Sequence, residues 1–143
     1  MARIEIDLPD KYAFTTNIPI RISDINQGGH LSWDSMFRII DEAHIQFWKY
    51  VGYQERGGRG ISRIMRDAGI IYRKQAYHGQ TLKVEIAITE LTEKGFDLVY
   101  RVTEVNSGDE IARAKTSFLC FDYQQQKVVP VPDELKSKFL RMV

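Results

Sequence analysis

The sequence predicts an α+β fold, a curved antiparallel sheet wrapped around one long central helix, and three observations predict it. Leu82, Val84, Ile86 and Ile88 alternate with Lys83, Glu85, Ala87 and Thr89, and Phe96, Leu98, Tyr100 and Val102 repeat the pattern, the period of strands with one buried face. Between residues 32 and 51 the period becomes helical: Met36, Ile40, Ala43 and Phe47 stand at i, i+4, i+7 and i+11, with a second apolar row through Phe37 and Trp48. The lengths match, since a twenty-residue helix spans ~30 Å and a ten-residue strand about 33 Å.

Each element follows in chain order. Residues 14–23 carry Ile18, Ile20 and Ile22 at period two and read as a strand, with Pro19 marking an edge or a bulge because it cannot donate to a ladder. Residues 24–30 break the pattern with Asn26, Gly28 and Gly29, a loop where backbone can approach a ligand. Ser32 can cap the helix, Asp34 suits the positive end of its dipole, and Gly52 can stop it. Thr92-Glu93-Lys94-Gly95 and Asn106-Ser107-Gly108-Asp109 turn two hairpins, residues 111–123 form the third long strand, and Gln124-Gln125-Gln126 is a turn. No linker, repeat or low-complexity tract divides the chain, so residues 1–143 read as one domain.

Composition excludes several function classes. Twenty basic residues against nineteen acidic ones leave a net charge of +1, too balanced for the counterion-release term of general nucleic-acid binding. The hydrophobic content of 43% and charged content of 27% are those of an ordinary globular domain. No apolar run approaches the ~18 residues of a membrane span, no secretory h-region is visible, and the single Cys120 cannot form an internal disulfide. The expectation is a cytoplasmic protein without membrane attachment.

The loop Asp24-Ile25-Asn26-Gln27-Gly28-Gly29-His30, the helical Glu42-Ala43-His44, Tyr72, the strand entry Ala76-Tyr77-His78-Gly79-Gln80 and Pro130-Val131-Pro132 before a last helix form one constellation. It resembles the hotdog-fold acyl-CoA thioesterases related to 4-hydroxybenzoyl-CoA thioesterase, over nearly the whole chain. That family carries D-x-D-x-x-G-H before the helix and E-A-R within it. The resemblance implies hydrolysis of an acyl-CoA thioester, CoA entering as part of the substrate, no separate cofactor, and an active site at a dimer interface. The second loop aspartate, a nucleophile or base in some members, falls here on Asn26, whose amide can hold a carbonyl or a water but cannot take a proton.

Thioester hydrolysis needs a group that activates water and donors aimed at the developing oxyanion. Unpaired helix-start amides around residues 29–33, reached through Gly28 and Gly29 and flanked by Trp33, would supply the donors. The base is then sought elsewhere: Asp34, four residues beyond His30 in the first turn, or Glu42, two turns along the same face, with His30 either a base or a loop-orienting group. Each has a structural alternative: a tight turn for the glycines, a dipole partner for Asp34, a buried ion pair for Glu42. Arg56, Arg59, Arg63, Arg66, Arg73 and Lys74, against Asp67 alone, form a basic run that could clamp the CoA phosphates or face solvent. Gly57-Gly58-Arg59-Gly60 lacks a P-loop ending and reads as a turn, and His30, His44 and His78 have no metal-ligand spacing, so no metal is expected.

Two other functions compete. A hotdog enoyl-CoA hydratase is suggested by the similarity of Asp24-Ile25-Asn26…His30 to a D-x-N-P-x-H loop, against which stand Gln27 for proline and a histidine one residue late. A non-catalytic acyl-CoA binder is suggested by the missing acid at position 26. One helix on one sheet leaves edges and an outer face to cover, which predicts a homodimer or homotetramer.

Overall fold

The computed structural model describes residues 2–53 and 60–143. Strand β1 (Phe14–Pro19) leads through a 3-10 turn (Ile22–Asp24) and a loop into α1 (Trp33–Val51). Strands β2 (Ile61–Tyr72), β3 (Thr81–Leu91), β4 (Gly95–Glu104), β5 (Glu110–Asp122) and β6 (Lys127–Val128) follow, and α2 (Asp133–Leu140) closes the chain. The sheet runs β1-β3-β4-β5-β2 with every pairing antiparallel, and β6 adds to β5.

Helix α1 starts and stops where its caps dictate. The Ser32 hydroxyl accepts the Ser35 N–H at 3.4 Å, and Gly52 takes the left-handed conformation at φ 75° that ends the helix. Its buried stripe, Met36, Ile40, Ala43 and Phe47, lies against the inward faces of β3, β4 and β5, where Val84, Ile86, Leu98 and Tyr100 are also buried. The Tyr100 hydroxyl in this layer is satisfied, lying 2.7 Å from Thr116 Oγ1. Phe139 of α2 closes the far end against Phe96, ring centroids 4.8 Å apart.

Three features differ from the sequence expectation. The first strand stops at Pro19 rather than residue 23, because the Asp24 carboxylate accepts the Arg21 N–H at 2.9 Å and folds Ile22–Asp24 into a 3-10 turn. A twelve-residue strand, β2, occupies the stretch read only as a basic run; its register slips between Met65 and Asp67, and the slip erases the period-two signature. The outer face of the sheet is not bare. The N-terminal segment lies on it, with Ile4 Cγ2 3.7 Å from the Cβ position of Gly69 and the Ile6 carbonyl accepting from Arg113, while Arg101–Glu85 and Lys115–Asp97 ion pairs dress the rest. The outer edges of β1 and β2 end the sheet, and the middle of β2, from Met65 to Ala68, is exposed. Among the described residues no helix is long and apolar enough to cross a membrane.

Candidate functional site

The loop between β1 and α1 is held by its own backbone. Ile25 and Leu31 form an isolated bridge, Asn26 N–H donates to the His30 carbonyl at 3.0 Å, and Gly29 N–H to the Asn26 carbonyl at 3.1 Å. Gly29 reaches φ 83°, a conformation side-chain-bearing residues avoid. Gly28 allows close packing instead: a Cβ there would lie 3.2 Å from His30 Nε2 and 3.4 Å from Asn26 Oδ1.

These bonds correct the expected row of free amides. Gly29, His30, Leu31 and Ser32 all donate, to the Asn26 carbonyl, Asn26 Oδ1, the Ala76 carbonyl and the Asp24 carbonyl, because the loop must satisfy its own backbone as it passes between strand and helix. Ser35 and Met36 are served by Ser32. Among the described residues the N–H groups of Trp33 and Asp34, the first two of α1, have no protein acceptor, and they are the donors the helix offers.

The same bonds fix what two side chains can do. Asn26 Oδ1 accepts the His30 N–H at 3.3 Å, which turns its NH₂ outward as a donor. His30 Nδ1 lies 3.3 Å from the Leu31 carbonyl, which can only accept, so Nδ1 is the donor in this contact and Nε2 is the nitrogen that can accept in the neutral ring. Both side chains line a cavity of about 350 Å³ with Leu31, Trp33, Met36, Tyr72, Ala76 and Ile111 as its apolar wall and Arg73, Lys74 and Gln75 at its polar side.

Of the sequence candidates, the structure brings Asn26, His30, Trp33, Arg73 and Lys74 to one cavity, with Gly28 and Gly29 shaping the loop beside it. Both cations there already have partners: Arg73 Nε lies 3.2 Å from Glu110 and Lys74 Nζ 2.5 Å from Asp109, whose carboxylate this contact holds below its ordinary range. Asp34 is exposed at the rim, its carboxylate accepting the Ser32 hydroxyl rather than lining the cavity. Glu42 is also exposed, not in a buried ion pair. It accepts from Gln46 Nε2 at 2.9 Å beside a separate groove formed with Asn17, Arg21 and Arg38.

Arg63 and Arg66 are not brought to the loop. Arg63 turns inward, donating to His44 Nε2 from Nε and Nη2 at 3.1 and 2.8 Å with its guanidinium 3.8 Å from the Trp48 ring centroid. Arg66 lines an outer-face cleft with Asp67, Glu90 and Lys115. Arg56, Arg59 and the Gly57-Gly58-Arg59-Gly60 turn lie outside the described residues, apart from Gly60. Burial, reinforced by Arg63, drives His44 down to about 3, and burial pushes the neighbouring Cys120 thiol up to about 11, an inert packing role for that cysteine.

Tyr72 is the site residue that motif reasoning left without a role. At the end of β2 its hydroxyl donates to the Trp33 carbonyl at 2.5 Å, and burial, then the Asp34 charge, raises the phenol's pKa. Its signal in the sequence is its place directly before Arg73-Lys74. No three of His, Cys, Asp and Glu converge as a metal site among the described residues.

An antiparallel sheet curled around one helix, with a cavity at that helix's first turn, is the hotdog architecture. Residues 20–139 match the model of the thioesterase-like superfamily, and the chain belongs to that family. It is similar to the 1,4-dihydroxy-2-naphthoyl-CoA hydrolase of Synechococcus elongatus, 27% identical over 122 residues that cover 82% of this chain and 88% of that protein. Its fold is that of the 1,4-dihydroxy-2-naphthoyl-CoA thioesterase from Synechocystis (TM-score 0.81, 19% identity, 89% and 95% of the two chains). It is likewise that of a Staphylococcus aureus protein solved in complex with CoA (TM-score 0.85, 13% identity, 96% and 87%).

Proposed function

We propose that this chain is an acyl-CoA thioesterase that binds the acyl group in the cavity beside α1 and releases a carboxylic acid and free CoA. The observation that carries the reading is that one cavity is lined by Asn26, whose NH₂ can donate, by Trp33, whose N–H with that of Asp34 beside it has no protein acceptor, and by His30, whose Nε2 can accept. The donors hold the thioester carbonyl and the oxyanion it becomes. His30 Nε2 takes a proton from water as its oxygen bonds to the carbonyl carbon; the C–S bond then breaks and the proton passes to the leaving sulfur. Asp34 at the rim is the rival base, and Glu42 the more remote one. No metal or separate cofactor enters this scheme.

The apolar wall of Leu31, Trp33, Met36, Tyr72 and Ile111 receives the acyl chain, while Arg73 and Lys74 stand where CoA phosphates would pass. The free β2 edge and the exposed Met65, at 51%, and Trp33, at 69%, favour a homodimer formed across that edge, from which a tetramer can be built. A monomeric mass by light scattering at micromolar concentration would contradict this assembly. The reaction is assigned to the cytoplasm, where the lone Cys120 thiol stays reduced.

Release of free thiol from a panel of short, long and aromatic acyl-CoAs tests the function, with an aromatic substrate included because of the naphthoyl-CoA relatives. Turnover on at least one member is expected. Tight binding without turnover would leave an acyl-CoA binder in its place, and loss of the enoyl absorbance of crotonyl-CoA would favour a hydratase.

A further inference from the structure

We infer that Tyr72 is a positioning residue: its hydroxyl grips the Trp33 carbonyl and thereby aims and strengthens the Asp34 N–H as a donor to the reacting carbonyl. The inference rests on the thioesterase reading of the site. Trp33 C=O and Asp34 N–H belong to one peptide group, which is planar and trans, so the two bonds point in opposite directions and turn together. At the first turn of a helix the carbonyl points into the helix and the N–H out of its start, and Trp33 and Tyr72, on either side of this bond, both line the cavity. The Tyr72 phenol, 2.5 Å from the carbonyl oxygen, therefore fixes the direction of an N–H it does not touch.

The bond also polarises that peptide. A donor on the oxygen draws density from the nitrogen and makes the N–H a better donor, as in any chain of hydrogen bonds. Tyr72 ends β2, so the sheet provides the fixed point and the helix start is held to it. Burial and the neighbouring Asp34 charge raise the phenol's pKa, keeping it a donor through the range in which a thioesterase is assayed. Because the hydroxyl is already committed to Trp33, it cannot also donate to substrate, which separates this role from that of a direct oxyanion donor.

Tyr72→Phe keeps the ring on the cavity wall and removes only the hydroxyl; Tyr72 is 47% exposed, so the fold is expected to stand, with melting temperature as the check. The expected result is a kcat about tenfold lower with KM nearly unchanged, less than the 10²–10³ lost when such a donor is deleted outright. Amide NMR of the same pair of proteins should show the Asp34 N–H resonance displaced. A kcat within twofold of the parent, a loss confined to KM, or an unmoved Asp34 resonance would overturn the inference. If the parent turns over no acyl-CoA, the thioesterase reading fails first, and the resonance still decides whether Tyr72 holds the Asp34 amide.

Discussion

Asn26→Asp separates a donor from a base at the position where the family places an acid. The substitution is nearly isosteric, and the oxygen that accepts the His30 N–H at 3.3 Å is retained, so the loop keeps its internal bond. What changes is the other terminus of the side chain, from an NH₂ that can donate to a charged oxygen that can only accept. If the NH₂ holds the thioester carbonyl, its loss removes one oxyanion donor, worth roughly 10²–10³ in kcat. The new charge adds repulsion: two unit charges about 4 Å apart interact by ~4 kcal/mol at an effective dielectric constant near 20, before screening by the open mouth of the cavity.

Both effects have the same sign, so kcat is expected to fall by at least about 10²-fold, and by more than in Asn26→Ala, which removes the donor without adding a charge. The assay is thiol release on whichever acyl-CoA the parent turns over best, with melting curves to confirm that both variants fold. A rate equal to or above the parent's would refute the reasoning: the loop would then accept a carboxylate base, and Asn26 would be a position from which an acid was lost.

Asp34→Asn leaves the helix-start amide in place and removes a charge that lies off the cavity wall, so kcat is expected within about threefold of the parent, with ~0.3–1 kcal/mol of stability lost from the helix dipole interaction. A loss beyond ~10²-fold at unchanged KM would instead make Asp34 the base. His44→Gln tests the buried imidazole. Folding holds His44 at about 3 against its usual 6.5, so between those values the unfolded chain binds the extra proton, and stability present above about pH 6.5 is lost as pH falls. The parent should lose on the order of 1.4 kcal/mol per pH unit from this group between pH 6 and 5, measured by urea unfolding. The substituted side chain keeps an amide oxygen for Arg63 but has no site that titrates, so that part of the slope should vanish; an unchanged slope would show that His44 is not its source.

Helix α1 was legible because its apolar stripe, its Ser32 cap and its Gly52 stop are all local signals. Strand β2 was not. Before the slip at Arg66, Arg63 and Met65 pair with the buried Cys120 and Phe118 of β5; after it Ala68, Ile70 and Tyr72 pair with the buried Thr116, Ala114 and Ala112, so odd positions give way to even ones and no single alternation runs through the strand. The basic run dissolved for a related reason. A strand sends neighbours to opposite faces, so residues close in sequence, Arg63 against Trp48 and Arg66 in an outer-face cleft, share no surface. At the loop, residue types were readable but directions were not: which amides are free depends on partners such as the Ala76 carbonyl, about 45 residues from Leu31 and visible only once β3 is docked.

The two cations that do reach the cavity mark where sequence clustering and spatial function coincide, and their pairing changes what they can contribute. Arg73 and Lys74 meet Glu110 and Asp109 at the start of β5, while the amides of both residues donate to the Ile111 carbonyl. The mouth is therefore cationic in residue type but close to neutral in charge. For the proposed substrate, a phosphate would have to share these cations with carboxylates, and exposed pairs of this kind are weak enough to exchange. Their effect is geometric: each carboxylate holds a long, flexible side chain near the entrance, so less side-chain freedom remains to be lost when an anion arrives. The acyl end of the ligand meets the more fully built surroundings, an apolar wall and a directed set of donors around one free imidazole nitrogen. Discrimination among substrates should therefore lie more in the acyl group than in the CoA that carries it.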